Sequence, residues 1–568
     1  MAESAEKTIL GHPRGLVILF LTEMWERFSY YGMRGLLIIY LTQHFLMSDE
    51  SSSVLYGAYG ALVYVMTIIG GSLADRYLGA RKAVTFGAIL LTFGHFGMAF
   101  EGEGSRQLIS HGDNQYEIIL DGRGGDARQQ IVTDLGSSYV SFTETSMDIA
   151  EPEAVGLVPS IDRSEFTMSV ETEEKYLNIL YLSLALIIAG VGFLKANIST
   201  MVGSLYGFGD ARRDSGFTIF YMGINIGAFL ASLSCGYLGI VHGWKYGFGL
   251  AGAGMLLGLV IFLSCQSWLD GKAEPPSVEK LKEKVLFGIN VEWLCYSVGL
   301  GIIAVSMLLV MNADLVGGIL GPVGILMFIW LVSHAFTQLQ GDERSRMLAA
   351  IYFVLAQIPF WALFEQAGSS LNLFTARLVD REIMGWSVPG PVFQSLNAGF
   401  IFLFAPLMAW LWVWLARRKL NPSTPVKFAL GVAMAGLGFL ALVAGMQGSG
   451  AVGLTPVIFI FLIYWIHTMG ELMVSPVGLS AVTKLAPAKI VGMTMGAWFL
   501  YSGLSNYLAG VIARTTGAET IGGQMTNVAA AKAGYVDVYA QVGYIALGIA
   551  LLMLLISPVI NKMMRGAD

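Results

Sequence analysis

The chain has 568 residues, of which 55% are hydrophobic and only 13% are charged, and its formal net charge is −6. Soluble globular proteins average about 25% charged residues, so this composition, with a mean hydropathy of +0.64, excludes an ordinary soluble domain. The acidic balance provides no basic surface for nucleic acid, and the sequence lacks the alternating ten-residue segments of a membrane β-barrel.

Apolar runs long enough to cross a bilayer as helices recur along the whole chain. They predict an all-α polytopic membrane protein with about fourteen spans, at residues 15–44, 54–75, 81–100, 176–205, 215–240, 246–266, 289–311, 314–337, 347–372, 391–416, 425–446, 453–475, 490–514 and 537–559. The first residues are polar, so we expect no cleavable signal peptide. Connections rich in Lys and Arg alternate with connections poor in them, which predicts cytoplasmic N- and C-termini.

One connection, residues 101–175, is long and polar and contains 16 acidic and five basic residues. The predicted orientation places it outside the cell. Short alternating runs such as "YEIIL" and "FTMSVETE" favour strands and a small folded subdomain, and disorder is the alternative.

The spans at 289–337 interrupt a six-plus-six arrangement and are interpreted as an inserted hairpin. The predicted domains are a cytoplasmic N-terminus (1–14), a six-helix bundle (15–266) interrupted by the 101–175 insertion, a linker with the hairpin (267–338), a second six-helix bundle (339–559) and a cytoplasmic tail (560–568). Many secondary transporters consist of two such halves, with their binding site between the halves near mid-membrane.

The first span contains the charged stretch "EMWERFSYYGMR". Glu23, Glu26, Arg27, Tyr30 and Arg34 fall at i, i+3, i+4, i+7 and i+11, so they lie along one helix face. A charge at the membrane centre costs about 3 kcal/mol. The stretch therefore predicts a face turned towards a polar pathway or towards partner charges.

The candidate partners are Lys195, Glu365 and Glu471, each a single ionisable residue in an apolar run. Arg34 and Lys195 belong to the first half, and the two glutamates belong to the second. Ion pairs between the halves could act as a gate, and fixed pairs that only stabilise packing are the alternative. A cavity with both signs of charge also suits a small zwitterion.

The sequence has no G-x-x-x-x-G-K-[ST] loop for ATP and no H-E-x-x-H zinc motif. His467 and Glu471 lie four residues apart without an evident third ligand, so we predict no metal site. The three cysteines lie in apolar segments and are interpreted as packing residues. No cofactor is expected, and the predicted coupling ion is the proton, since desolvated carboxylates such as Glu23 and Glu26 can carry one.

Several motifs resemble a known family. "GGSLADRYLGARK" (70–82) resembles the loop between the second and third helices of the major facilitator superfamily, where its residues Gly71, Asp75, Arg76, Gly79 and Arg81 would shape the turn and Asp75 and Arg76 would pair with neighbouring helix ends. "EMWERFSYYGMR" resembles the E-x-x-E-R motif of the proton-dependent oligopeptide transporters. "GFLKANIST", "GFTIFYMGINIGAF", "FWALFEQ", "FQSLN" and "GELMVSPVGLS" resemble further motifs of that family, in the family's order.

The resemblance implies the major facilitator fold, with two six-helix bundles and the extra hairpin of bacterial members. It implies proton coupling by Glu23, Glu26, Arg27 and Glu365, and gate pairs Arg34–Glu365 (outer) and Lys195–Glu471 (inner). It also implies a peptide-binding site. Arg34 and Lys195 would bind the peptide's carboxylate, Glu471 its amino group, and Asn225 and Asn397 its polar groups. The residues that would line side-chain pockets are Tyr30, Tyr31, Tyr64, Tyr221, Trp361, Ser475 and Trp498. Helix packing is the alternative for any single aromatic residue, and a helix–helix hydrogen bond for either asparagine.

The sequence also departs from the family. Gly57 stands where mammalian-type members have a histidine, and Ala398 stands where a proline is common. Those members have an external domain between helices nine and ten, where this chain has only "GMQGSG". The extra segment 101–175 lies at a different place, so that domain's role is not carried over to it. The resemblance implies a monomeric, non-enzymatic, proton-coupled importer of di- and tripeptides in the bacterial inner membrane. A carrier of nitrate or another small solute, an intramembrane peptide-cleaving enzyme and a non-transporting sensor are the alternatives.

Overall fold

A computed structural model describes residues 8–122, 128–143, 145–207, 209–286 and 288–564. The predicted N-terminus (1–14), insertion (101–175), linker with hairpin (267–338) and tail (560–568) therefore lie partly outside the described residues. The helices within the described ranges are, in chain order, Gly15–Gln43 (α1), Asp49–Leu73 (α2), Ala80–Met98 (α3), Pro152–Val155 (α4), Glu174–Ser204 (α5), Arg213–Val241 (α6), Trp244–Ser264 (α7), Val278–Lys282 (α8), Val291–Met311 (α9), Ala313–Thr337 (α10), Gly341–Phe364 (α11), Ser370–Leu378 (α12), Ser395–Arg417 (α13), Thr424–Gly448 (α14), Ile458–Leu485 (α15), Val491–Arg514 (α16) and Val528–Met564 (α17).

The long helices form two bundles. Helices α1, α2, α3, α5, α6 and α7 pack into a first half, and α11 to α17 pack into a second half. Within the described residues, eleven helices are long and apolar enough to cross a membrane, and α1, α3 and α16 pack among them. The hairpin α9–α10 contacts both halves: α9 packs on α5 of the first half, and α10 packs on α2 of the first half and α16 of the second. Each predicted span has a helix at its position.

The span predicted as continuous at 347–372 is broken. Helix α11 ends at Phe364, a 3₁₀ turn covers Glu365–Gly368, and α12 begins at Ser370. Gln366 Nε2 donates to the Ala362 carbonyl (3.0 Å) and the Ala509 carbonyl (2.9 Å), so a side chain satisfies carbonyls at the break. Irregular backbone within a membrane is tolerated where protein surrounds it, and this break places Glu365 between the halves.

The insertion folds as a seven-stranded antiparallel sheet. A short hairpin, Thr8–Ile9 (β1) with His12–Pro13 (β2), precedes it in the chain, and its own strands are Arg106–His111 (β3), Asn114–Asp121 (β4), Arg128–Thr133 (β5), Gly136–Phe142 (β6), Ser146–Ile149 (β7), Ser160–Asp162 (β8) and Phe166–Glu171 (β9). The strand order is β8-β7-β6-β5-β4-β3-β9. Alternate residues such as Ile109, Ile118 and Ile131 are buried, as expected for a sheet with one apolar face. "YEIIL" and "FTMSVETE" lie largely in β4 and β9, as the alternation predicts.

The remaining strands are two to three residues long and join loops in pairs. They are Lys284–Leu286 (β10) with Ile289–Asn290 (β11), Val379–Asp380 (β12) with Thr455–Pro456 (β15), Glu382–Ile383 (β13) with Trp386–Ser387 (β14), and Thr520–Ile521 (β16) with Gln524–Met525 (β17). We call the membrane side that carries β3–β9 the sheet face, and the side that carries the loop at residues 74–79 the opposite face.

The loop motif at residues 70–82 lies on the opposite face, and its side-chain contacts differ from those that the resemblance implies. Asp75 and Arg76 lie in a π-helical turn and are exposed, and no ion pair involving either was found among the described residues. The motif's ion pair is made instead by Arg81, whose Nε and Nη2 donate to Glu274 at 2.6 and 2.9 Å. Gly79 has φ +74°, and a Cβ there would lie 2.6 Å from Pro275 N, so the turn requires glycine. Gly71 lies near Ala196 without a clash.

Candidate functional site

A cavity of about 300 Å³ lies between the two halves. Helices α1, α2, α5 and α6 line one side, and α11, α13, α15 and α16 line the other. The predicted residues that line it are Arg27, Tyr31, Arg34, Tyr64, Lys195, Tyr221, Asn225, Trp361, Glu365, Asn397, Glu471, Ser475 and Trp498. These residues are far apart in the sequence, so the fold brings the isolated intramembrane charges into one space.

Two carboxylates share one guanidinium at the first-half wall. Arg27 Nε lies 2.7 Å from Glu23 Oε1 and 3.0 Å from Glu26 Oε2. Glu26 is fully buried, and neither of its carboxylate oxygens has a hydrogen-bond partner among the described residues. Glu23 and Glu26 therefore share the Arg27 guanidinium in a buried cluster, where a carboxylate without a hydrogen bond is costly.

The charges of Arg34 and Glu365 meet across the halves. Arg34 Nη2 donates to Glu365 Oε2, and both side chains are mostly buried. Arg34 Nε also donates to the Tyr56 hydroxyl at 2.8 Å. The Tyr56 ring reaches this position because residue 368 is glycine; a Cβ there would lie 1.8 Å from the hydroxyl oxygen. Tyr56 and Gly368 were not predicted as site residues.

The charges of Lys195 and Glu471 are apart in this structure. The Lys195 ammonium lies 4.0 Å from the centroid of the Tyr64 ring, within cation–π range. Glu471 Oε2 accepts a hydrogen bond from Asn397 Nδ2 (2.8 Å), and Asn397 Nδ2 also donates to the Thr468 hydroxyl (3.1 Å). Within the described chain, no ion pair joins Lys195 to Glu471. The second pair implied by the resemblance is therefore open while the first is closed.

One predicted pocket residue lies outside the lining. Tyr30 is only 5% exposed and packs edge-on against Tyr31, with ring centroids 5.4 Å apart. Adjacent residues on a helix point about 100° apart. Tyr31 faces the cavity, so Tyr30 is turned into the core of the first half. The lining also includes Gln394, Tyr464, Phe499, Ser502 and Asn506, which were not predicted. Ser502 and Asn506 stand four residues apart in α16, a polar pair in an apolar helix that the sequence does show.

Contacts between the halves close the cavity towards the sheet face. Asp49, at the start of α2, accepts two hydrogen bonds from Arg377 near the end of α12, at 2.6 and 2.9 Å, and both side chains are buried. Asn372 Nδ2 donates to the Gly35 carbonyl at 2.8 Å. The packing of α2 on α16 is equally close, since a Cβ at Gly57 would lie 2.8 Å from Gly510 Cα. No larger residue fits at Gly57 in this arrangement.

The cavity opens towards the opposite face. Tyr221 lies eight residues from the opposite-face end of α6 and is 43% exposed, and Leu479 lies six residues from the corresponding end of α15 and is 40% exposed. Both line the cavity. The structure is therefore closed on the sheet face and open on the opposite face, one of the two end states that an alternating-access protein needs.

The cavity combines fixed charges of both signs with aromatic walls. Arg34 and Lys195 supply positive charge from the first half, and Glu365 and Glu471 supply negative charge from the second. Tyr31, Tyr64, Trp361 and Trp498 surround them. Such a site can bind a molecule with an anionic end and a cationic end, while the rings accommodate its variable apolar parts. In the ranges that the structure describes, no cluster of three or more His, Cys, Asp or Glu side chains is placed to hold a metal ion.

Comparisons with known proteins find one matching family model and relatives that are described as peptide transporters. The family model PTR2, described as the POT family, matches residues 81–528. The peptide transporter YePEPT of Yersinia enterocolitica is 32% identical, over 89% of this chain and 88% of its own length. Dipeptide and tripeptide permease A of Erwinia pyrifoliae is 29% identical, over 99% of this chain and 97% of its own. A crystal structure of the peptide transporter POT in complex with sulfate superposes with a TM-score of 0.74 at 32% identity, covering 99% of this chain and 98% of that one.

Proposed function

The chain belongs to the POT family and has the major facilitator fold of an integral, multi-pass membrane protein, and from that membership we propose that it is a proton-coupled symporter that imports di- and tripeptides by alternating access. The observation that carries this proposal is the charged cavity between the halves, closed on one face and open on the other. A peptide has a carboxylate and an ammonium group at fixed places and variable side chains, which is the pattern of the cavity.

The peptide class has support from the chain's relatives. YePEPT is a peptide transporter, and the Erwinia pyrifoliae protein is a dipeptide and tripeptide permease. In our proposal Arg34 and Lys195 bind the peptide carboxylate, Glu471 binds the amino group, and Asn225 and Asn397 bind polar groups of the backbone. Tyr31, Tyr64, Tyr221, Trp361, Ser475 and Trp498 form the side-chain pockets. Tyr30 supports Tyr31 from behind instead of contacting peptide.

The proton is proposed to travel through the carboxylates beside Arg27. Glu26 is the main carrier, because neither of its oxygens accepts a hydrogen bond from the described residues, and Glu23 is the second member of the cluster. The peptide carboxylate competes with Glu365 for Arg34, and a released Glu365 can take a proton in turn. The sheet-face pair Arg34–Glu365 serves as the outer gate, and Lys195–Glu471 closes the other side when the cavity faces outward.

We further propose the orientation, location and assembly of the protein. The sheet face is external and both termini are cytoplasmic, because the loops of the opposite face are the ones rich in Lys and Arg. The membrane is the bacterial inner membrane. A single chain contains both walls of the cavity, which supports a functional monomer. We expect peptides to cross without being cleaved and without any cofactor besides the proton.

The experiment that tests the function uses purified protein in proteoliposomes. An acidic exterior and an inside-negative potential are imposed, and uptake of labelled dialanine is followed with and without a protonophore. We expect uphill uptake that the protonophore abolishes, with intact dipeptide recovered inside. Absence of uptake for several di- and tripeptides in a folded preparation would reject the proposal. Uptake of nitrate that competes with peptide would reassign the cargo, and recovered amino acids would indicate an enzyme.

A further inference from the structure

The sheet inserted between α3 and α5 is tied at its base to the first half. The Ser105 amide donates to the His44 carbonyl (2.8 Å), and His44 Nε2 lies 2.8 Å from the Glu101 carbonyl oxygen. Glu101 Oε2 accepts a hydrogen bond from the Lys245 amide at 2.9 Å. His44 follows α1 and Lys245 lies in the first turn of α7. The base of the sheet is therefore fixed to two first-half helices besides the two from which its chain emerges.

The same sheet docks onto the second half. The hairpin β16–β17 connects α16 to α17, and its turn lies against β3, β4 and β5. Gln129 Nε2 donates to the Ile521 carbonyl, and the Gly522 amide donates to Gln107 Oε1 at 3.3 Å. Both glutamines are at least 94% buried, and Ile521 is 98% buried. Gly522 has φ +52°, and a Cβ there would lie 3.1 Å from Gln129 Nε2.

An ion pair lies beside this buried contact. Arg163, just after β8, approaches Glu519 at 3.9 Å (Nη2 to Oε1), and both side chains are partly exposed. Buried, hydrogen-bonded glutamines are uncommon on a solvated sheet, because an amide loses water when it is covered and needs new partners. The contact is therefore a formed interface between the sheet and a loop of the other half.

We propose that the sheet is a latch across the outer gate: it is anchored on the first half and binds the β16–β17 hairpin of the second half only while the external side is closed. The inference rests on the proposed transport cycle, since it requires the external side to open. When the halves separate there, the base moves with α1 and α7, and the bonds of Gln107 and Gln129 must break. Contacts made in one state alone shift the equilibrium towards that state.

The effect of weakening the latch on the outward-open population can be predicted. Both glutamine amides return to water when the latch opens. Breaking their hydrogen bonds therefore costs only a moderate free energy, and closure remains reversible. Weakening the latch should raise the outward-open population at rest by at least threefold. Its strength would set how much of the cycle's time the cavity faces the cytoplasm.

The test measures distances by pulsed electron spin resonance in liposomes. Spin labels at Tyr246→Cys (first half) and Met384→Cys (second half) report external opening, in a chain whose three native cysteines are replaced by alanine. Both labelled positions are exposed. The latch variant is Gln107→Ala/Gln129→Ala. The matched control is Gln115→Ala/Gln130→Ala, which removes two amides from the same sheet at positions away from the hairpin.

We expect a longer-distance population that grows at least threefold in the latch variant and is unchanged in the control. Equal distributions in the two variants would overturn the proposal. A further label at Leu135→Cys, on the exposed β5–β6 turn, distinguishes the moving part. Its distance to position 246 should stay constant while its distance to position 384 lengthens in the open population. The opposite pattern would show that the sheet stays with the second half and would also overturn the proposal.

A charge exchange covers the case in which the glutamine variant does not fold. Arg163→Glu places two like charges at the interface and should increase external opening, and Arg163→Glu/Glu519→Arg should reverse that increase. An unchanged open population in Arg163→Glu, or an increase that Arg163→Glu/Glu519→Arg does not reverse, would overturn the proposal. These distances are read without substrate. A failure of peptide transport would therefore leave the latch result interpretable, and a failed latch would leave the transport assay intact.

Discussion

At the residue scale, the cluster of Glu23, Glu26 and Arg27 makes a sharp prediction. Glu26→Gln keeps the shape of the side chain and removes the group proposed to carry the proton. We expect uphill accumulation driven by a proton gradient to fall below about a tenth of wild type, whereas exchange of peptide across the membrane without a gradient persists. The reason is that exchange needs the binding site but no net proton movement. Paired uptake and counterflow assays in proteoliposomes measure both.

The control for this substitution is Glu292→Gln. Glu292 is a partly buried carboxylate that pairs with Lys82 on the opposite face, away from the cavity. It should leave both assays within about twofold of wild type. Full proton-driven accumulation by Glu26→Gln would remove Glu26 as a coupling residue.

A second residue-scale prediction concerns Glu471. Its carboxylate faces the cavity, and among the described residues Asn397 is its one hydrogen-bond donor. Glu471→Gln should weaken binding of free-amino dipeptides by about 10- to 100-fold, because a hydrogen bond to a charged group contributes about 1.5–3 kcal/mol. Competition assays with dialanine and N-acetylated dialanine separate the two ends. An equal loss for both peptides would refute recognition of the amino group by Glu471.

The sequence is informative about such residues where a charge stands in an apolar run. Glu23, Arg34, Lys195 and Glu471 stand out because a membrane penalises them, and each lies in or beside the cavity. Tyr56 does not stand out, because a tyrosine in an apolar helix is typical of ordinary packing. Its contact with Arg34 depends on the glycine at residue 368, more than 300 positions away, so only the fold reveals it.

At the element scale, the end of α14 depends on a buried lysine of α17. Lys532 Nζ donates to Ser449 Oγ (2.7 Å) and to the carbonyls of Gly450 (2.7 Å) and Gly453 (2.6 Å). It is only 3% exposed. All three ammonium donors are thus used, and two carbonyls of the loop after α14 have a charged donor.

Lys532→Met should therefore lower the free energy of unfolding by about 2–4 kcal/mol, since carbonyls that were paired with a charged donor lose it. A thermal unfolding scan in detergent should show a lower midpoint. Lys562→Met is the matched control, since Lys562 lies on the same helix and is exposed. Equal midpoints for the two variants would contradict a clamping role for Lys532.

Helices and their positions follow from apolar runs, but interruptions within a run do not. The break at Glu365 falls in "FWALFEQAGSS", where apolar and polar residues are mixed and no proline marks the turn. The strands of the insertion follow from alternation in "YEIIL". Their docking on β16–β17 could not be predicted, because "TIGGQM" has the composition of any short turn. The ion pair of Arg81 in the loop motif could not be predicted either, because its partner Glu274 lies almost 200 residues away.

At the scale of the whole molecule, the two halves meet on the sheet face through the buried pair Asp49–Arg377. Asp49 Oδ2 also accepts a hydrogen bond from the Ala518 amide at 3.1 Å, so one carboxylate joins α2 to α12 and to the loop after α16. The Arg377 side chain is 7% exposed and the Asp49 side chain 2% in the closed state. When the halves separate, both become hydrated, so the pair exists in only one of the two states.

Asp49→Asn should consequently favour external opening. Arg377 would keep its buried charge without a carboxylate, which costs about 3–5 kcal/mol in the closed state, and opening relieves that cost by hydrating the guanidinium. A tenfold or larger rise in the open population follows, since each 1.4 kcal/mol is a factor of ten. Spin labels at positions 246 and 384 measure it.

The neighbouring carboxylate provides the control. Glu50 lies on the same turn of α2 and approaches Arg514 at 3.8 Å, but both side chains are at least half exposed. Exposed ion pairs contribute about 0–1 kcal/mol, so Glu50→Gln should leave the open population nearly unchanged. The exchange Asp49→Arg/Arg377→Asp should restore closure in part, because it restores a buried ion pair. Restoration is incomplete because the exchange places a cation in the first turn of α2, where the helix dipole disfavours it. Equal opening in Asp49→Asn and Glu50→Gln would show that closure depends on apolar packing between the halves and not on the buried charge pair.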